Sequence, residues 1–214
     1  MTRVVGYRTY DVRFPTSQAL DGSDAMNKDP DYSAAYLRIL TDNDSLHGDS
    51  LVFTIGRGND FQVAALELLA EKIVGRETSD LFANIGSVAK ELSADSQLRW
   101  LGADYGLFHM AAGGVLNALW DLFAKERNAP LWKLLSDMSP EEIVGAMDFR
   151  YITDVLTPEE ALEILRKAQS TRSANEATLR NSGVPAYTTS PGWLGYSDEK
   201  MIALTKEAMA DGFS

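Results

Sequence analysis

The chain has 214 residues, enough for one large or two small domains. Hydrophobic residues make up 45% and charged residues 24%, an ordinary globular profile, and the net charge of −11 argues against a nucleic-acid phosphate backbone or an acidic membrane surface as partner. There is no cysteine, which excludes disulfides, thiolate nucleophiles and Cys-based metal sites.

The amino end alternates like a strand, with Val4, Val5, Tyr7, Thr9, Tyr10, Val12 and Phe14 before a stop at Pro15. It has no continuous apolar run of signal-peptide length, and no segment reaches ~18 uninterrupted apolar residues. A soluble, cytoplasmic protein is therefore expected. A second strand follows Tyr32, where residues 36–40 alternate apolar with polar. Between the two lies a loop too long for a hairpin turn, rich in Gly, Asp, Ser, Asn and Pro yet holding Leu20, Met26 and Tyr32. A loop of that length with large apolar side chains predicts a lid rather than a solvated linker.

Residues 50–55 predict a third strand, and three strands at this spacing predict a small antiparallel sheet. A helix is expected from Asn59 or Asp60 to Gly75, another over 80–92, and a break at Asp95-Ser96. The strongest helical pattern runs from about Asp104 to Arg127, where Ala111, Ala112, Gly113 and Gly114 invite close packing. Asn128-Ala129-Pro130 ends it, and residues 131–135 make a short helical turn. Composition changes after Asp137, which divides the chain into 1–137 and 138–214. Beyond that boundary residues 143–152 read as a strand, Thr157-Pro158-Glu159-Glu160 opens a helix to about Gln169, and a polar stretch follows. Residues 184–189 read as another strand and Ser197 starts a last helix ending at Asp211-Gly212. Strands alternating with helices predict βα units and a parallel sheet here.

Several motifs have ordinary readings. Gly56-Arg57-Gly58 resembles a dinucleotide fingerprint, but Phe61 stands where its third glycine belongs and the preceding strands are antiparallel. A tight turn accounts for it, with a weaker reading in which Arg57 and backbone N–H groups face an anion. An EF-hand starting at Asp21 fails, because Met26 and Tyr32 replace the glycine and the carboxylate that it needs. His47 and His109 assemble no Ser-His-Asp set. Trp100, Trp120 and Trp132 are expected to pack, Trp193 to line a pocket, and Asp121 to accept structural hydrogen bonds.

Taken together, ALWDLFAKERNAPLWKLL (118–135) and the three-strand start resemble the enolase superfamily, in its mandelate-racemase-like branch. DVRFPTS, DGSDAMNKDPDYSAAY, DSQLRW, DFRYITD and PAYTTSPGWLGYSDEK narrow the resemblance to the acid-sugar dehydratases of that branch that act on L-fuconate. The fold that this implies is α/β: an enolase-like α+β capping domain followed by the start of a (β/α)8 TIM-type barrel. The implied reaction is Mg2+-dependent β-elimination of water from L-fuconate through an enediolate, giving 2-keto-3-deoxy-L-fuconate. Carried over by motif, Gly22, Ser23, Asp24 and Tyr32 match substrate-contacting positions. The catalytic groups and the Mg2+ ligands are expected after Ser214, so the chain needs the C-terminal barrel portion to act. An acid-sugar substrate, a homo-oligomer, and neither nucleic acid nor membrane complete the expectation. The alternatives are another dehydratase or racemase of the superfamily, or a truncated, non-catalytic interaction module.

Overall fold

Alternating side chains draw the first quarter of the chain into an antiparallel sheet in the computed structural model, which describes residues 2–102 and 105–213. Its strands are β1 (Val4–Arg13), β2 (Ser33–Thr41) and β3 (His47–Thr54), in the order β1-β2-β3. Tyr10 faces Tyr36 and Tyr36 faces Leu51, which fixes the register of all three strands. Because side chains alternate across a strand, Ala35, Leu37, Ile39 and Val52 are buried on one face. Tyr10, Tyr36, Leu51 and Phe53 remain exposed on the other.

The buried face is covered by α1 (Asn59–Ala70) and α4 (Gly106–Glu126). Between them run α2 (Thr78–Ala83) and α3 (Ile85–Ser93), which break the single helix expected over 80–92 at Asn84. The expected start of the long helix at Asp104 lies outside the described residues. Leu66, Leu69, Leu119 and Leu122 are fully buried, each contributing ~1.5–3 kcal/mol as an upper bound. Small residues set how closely α4 lies on the sheet. A Cβ at Gly48 would stand 2.1 Å from the Ala118 carbonyl oxygen, and one at Gly114 would meet Leu66 and Val52 at 2.7 and 2.8 Å. By length and composition α4 would suffice to cross a membrane, but more than half of that stretch is buried in this core. Asn128 takes a left-handed φ of 49° and Pro130 follows, so the helix cannot continue.

After α5 (Leu131–Asp137) the chain departs from expectation. Residues 143–152 do not form a strand. Ser139 accepts from the Glu142 N–H while Glu142 reaches back to the Ser139 N–H, with Pro140 at the first position; this capping box opens α6 (Pro140–Ala146). Turns follow to residue 155. Thr157 caps α7 (Pro158–Ala168) as expected, and the polar stretch after it forms α8 (Arg172–Ser182). Residues 184–189 form no strand: they take no regular secondary structure and pair with no strand among the described residues. A strand is completed by a neighbour's hydrogen bonds, and no parallel sheet is present among the described residues to supply them. α9 (Asp198–Ala210) starts at its Ser197 cap, as expected, and buries none of its residues.

Candidate functional site

The long loop between β1 and β2 is ordered by its own polar groups. The Thr16 hydroxyl donates to the Pro30 carbonyl and accepts from the Tyr32 N–H, both at 2.8 Å. The Ser17 N–H donates to the Asp31 carboxylate at 3.1 Å, and the Asp31 N–H reaches the Ile55 carbonyl at 3.3 Å. These bonds close the neck of the loop and tie it to the turn after β3. Glycine is required within that turn: Gly56 and Gly58 have φ of 121° and 87°, which accounts for the Gly-x-Gly pattern as a tight turn. A cleft of about 330 Å³ beside it is lined by Phe53, Ile55, Arg57, Gln62 and Met110.

All four residues carried over by motif fall in this loop, and they differ in what they do. Gly22, with φ +79°, lets its carbonyl accept from the Tyr32 hydroxyl at 3.2 Å, and a Cβ there would stand 2.0 Å from that oxygen. The Tyr32 ring meets Phe53 edge-on, with centroids 5.1 Å apart. Ser23 is buried, and its hydroxyl accepts from the Gly195 N–H at 2.8 Å. Asp24 is exposed, and one carboxylate oxygen accepts from the Met26 and Asn27 N–H groups at 2.7 and 2.6 Å. The second accepts from the Asn27 amide at 3.2 Å and keeps capacity for a further hydroxyl. The Asn27 N–H above all, then its side chain and the Met26 N–H, hold the Asp24 carboxyl below the usual carboxylate range. Of the large apolar side chains in the loop, Tyr32 is partly buried, whereas Leu20 is 36% and Met26 89% exposed.

The tip of the loop meets a segment far along the chain. The Tyr196 hydroxyl donates to the Asp21 carboxylate, and the Lys200 ammonium lies 3.4 Å from the same oxygen and 3.4 Å above the Tyr196 ring. The hydrogen bond from Tyr196, with help from Lys200, holds the Asp21 carboxyl below its ordinary range. Burial, then Asp21 and the nearby Tyr32, push the Tyr196 phenol up to about 12. The sequence singled out Trp193 in this segment and missed Tyr196 and Lys200, whose partners lie about 180 positions away.

The remaining candidates lie away from this loop. His47 sits 3.1 Å from Asp49, and His109 is exposed on α4. Asp121 accepts from the Asp49 N–H at 2.7 Å, as expected of a structural acceptor. Trp120 packs against Phe82 and Phe123, but Trp100 is 81% exposed and does not pack as expected. Among the described residues no group of three or more His, Asp or Glu side chains could hold a metal. The residues present therefore do not fit a Mg2+ site.

A family model described as the mandelate racemase / muconate lactonizing enzyme N-terminal domain matches residues 26–136. The chain is 50% identical over 212 residues to a Hypocrea jecorina protein named L-galactonate dehydratase, covering 98% of this chain and 47% of that protein. It thus spans about half the length of the curated relatives it matches. The crystal structure of human mitochondrial enolase superfamily member 1 superposes with a TM-score of 0.94 at 46% identity, over 99% of this chain and 48% of the other. A Bradyrhizobium enolase complexed with magnesium and mandelic acid superposes over 63% of this chain and 34% of its own, with a TM-score of 0.50 at 21% identity, a likeness of fold alone.

Proposed function

This chain belongs to the mandelate racemase / muconate lactonizing enzyme N-terminal domain family of the enolase superfamily, and from that premise we propose that it is the substrate-capping part of an acid-sugar dehydratase acting on L-fuconate. Residues 1–137 are the cap in this reading, and 138–214 lead into a barrel supplied by further chain. The observation that carries the reading is the braced loop of residues 14–32, in which the Tyr32 hydroxyl reaches back to the Gly22 carbonyl and Asn27 holds the Asp24 carboxylate two residues further on. In the proposed reaction the α-proton at C2 and the hydroxyl at C3 leave as water, and the resulting enol becomes the 2-keto-3-deoxy acid. Mg2+ and the proton-transferring groups belong to the barrel, so no step passes through the residues described. This chain's part is to receive the distal hydroxyls, with Asp24 as acceptor, and to keep water from the reacting carbons.

A second substrate has a specific observation in its favour, the name L-galactonate dehydratase carried by a relative 50% identical. L-Fuconate is the 6-deoxy form of L-galactonate, so the two acids differ in one distal hydroxyl, at the end that a cap would read. The test is a longer polypeptide carrying this chain and the barrel, incubated with Mg2+ and a panel of six-carbon sugar acids while 2-keto acid is measured. L-Fuconate is expected to be the better substrate. Asp24→Ala is expected to lower kcat/KM about tenfold, the scale of one hydrogen bond to a charged group. Asp24→Asn, which keeps an acceptor for the local turn, separates the loss of charge from the loss of the turn. Absence of 2-keto acid from both substrates would sink the reading.

A further inference from the structure

The neck of the loop is held by the strands, but its tip needs a separate anchor. Within residues 14–32 the internal bonds brace the loop against itself: Thr16 to Pro30 and Tyr32, Ser17 to Asp31, and Tyr32 to Gly22. Of these only the Tyr32–Gly22 bond ties residues 19–24 to a side chain packed on the sheet, through the Tyr32 ring against Phe53. The rest of the anchoring comes from a strap after residue 193. The Leu194 N–H donates to the Ser23 carbonyl at 3.0 Å and the Gly195 N–H to the Ser23 hydroxyl at 2.8 Å, so Ser23 is gripped from both sides. Gly195 has to be glycine for this approach, because a Cβ would lie 2.6 Å from the Leu20 side chain and 3.0 Å from the Ser23 hydroxyl. Tyr196 then reaches Asp21, and Lys200 offsets that carboxylate while its ammonium also meets the Ala19 carbonyl at 3.4 Å.

We propose that residues 194–200 are a latch that sets the position of the lid tip, and that Tyr196 is a positioning residue for sugar-acid binding, the second half resting on the function proposed above. The Ser23 hydroxyl is thereby engaged by the latch, with one acceptor lone pair taken by the Gly195 N–H and its O–H still able to donate. Gly22 and Asp24, on either side of Ser23, are the groups that the latch places.

Two arms test this. In the chain as it stands, amide hydrogen exchange at Ser23, Leu194 and Gly195 is compared among wild type, Tyr196→Phe, Asp21→Ala and the double variant. Both single variants are expected to exchange about five- to tenfold faster at these amides, with Leu119 and Leu122 in α4 unchanged. The double variant is expected to be no faster than Asp21→Ala alone, because that variant already removes the Tyr196 bond along with the Lys200 contact. Gly195→Ala should also release the tip, and Leu20→Gly should restore it, since Leu20 itself holds a φ of 57° that glycine accepts without strain. In the longer polypeptide Tyr196→Phe is expected to raise KM for L-fuconate about five- to tenfold with kcat changed less than twofold, and to leave a shorter acid without distal hydroxyls unaffected. Unchanged exchange, or additive effects in the double variant, would overturn the latch. Faster exchange with an unchanged KM would overturn the positioning role. If wild type releases no 2-keto acid, the functional reading and the positioning role fail together, while exchange alone still decides the latch.

Discussion

Adjacent glycines in α4 face opposite demands. A Cβ at Gly113 would meet nothing within 4 Å, whereas one at Gly114 would press on Leu66 and Val52. Gly113→Ala is therefore expected to stabilise the fold by ~0.8–1 kcal/mol through helix propensity, and Gly114→Ala to destabilise it by ~1–3 kcal/mol through overpacking. Urea denaturation at unchanged slope reads both; shifts of the same sign would contradict the packing described. Titration acts at the same scale. The folded Asp24 and Asp21 carboxyls lie below their ordinary value, so their bonds stabilise the loop fully above pH ~4 and fade as pH falls through the lower folded values. Tyr196 is raised to about 12, so its contribution is complete below the ordinary phenol value of ~10 and is lost as pH rises through 12. The Asn27 and Gly195 amide resonances are expected to hold still from about pH 5 to pH 9 and to move outside that window. Movement near pH 7 would implicate another group.

Among the elements, capping decided what periodicity misread. Residues 143–152 look like a strand because Ile143, Val144, Phe149, Tyr151 and Ile152 are β-formers, yet Ser139-Pro140-Glu141-Glu142 is as complete a helix start as the Thr157 sequence that was read correctly. Ser139→Ala is expected to cost ~1 kcal/mol and to melt α6 before the sheet, seen as lost amide protection over residues 142–146. The three strands needed no such correction, since alternation, Pro15 and the later glycines all mark the same elements.

For the whole molecule, stability is concentrated in the first two-thirds. α8 and α9 bury no residue, and Val184, Tyr187, Leu194, Ile202 and Met209 are more than half exposed. In this chain the amides of α9 are expected to exchange at least about a hundredfold faster than those of Leu119 and Leu122, because few apolar contacts oppose their opening. Comparable protection in both would show that α9 is held by more than its exposed surface offers.

How much was legible follows from the range of the forces involved. The three strands, the helix caps at Thr157 and Ser197, the small residues of α4 and the loop as a closed structure rest on patterns a few residues long, and the sequence alone determined them. So too the motifs that placed Gly22, Ser23, Asp24 and Tyr32 in a single loop. Tertiary structure alone decided which of that loop's groups bond within it and which bond to the segment after residue 193. Tyr196 finds Asp21 across 175 positions, and Gly195 bonds the buried Ser23, because folding brings distant stretches of backbone together and polar groups meet partners there. No local pattern encodes such a meeting.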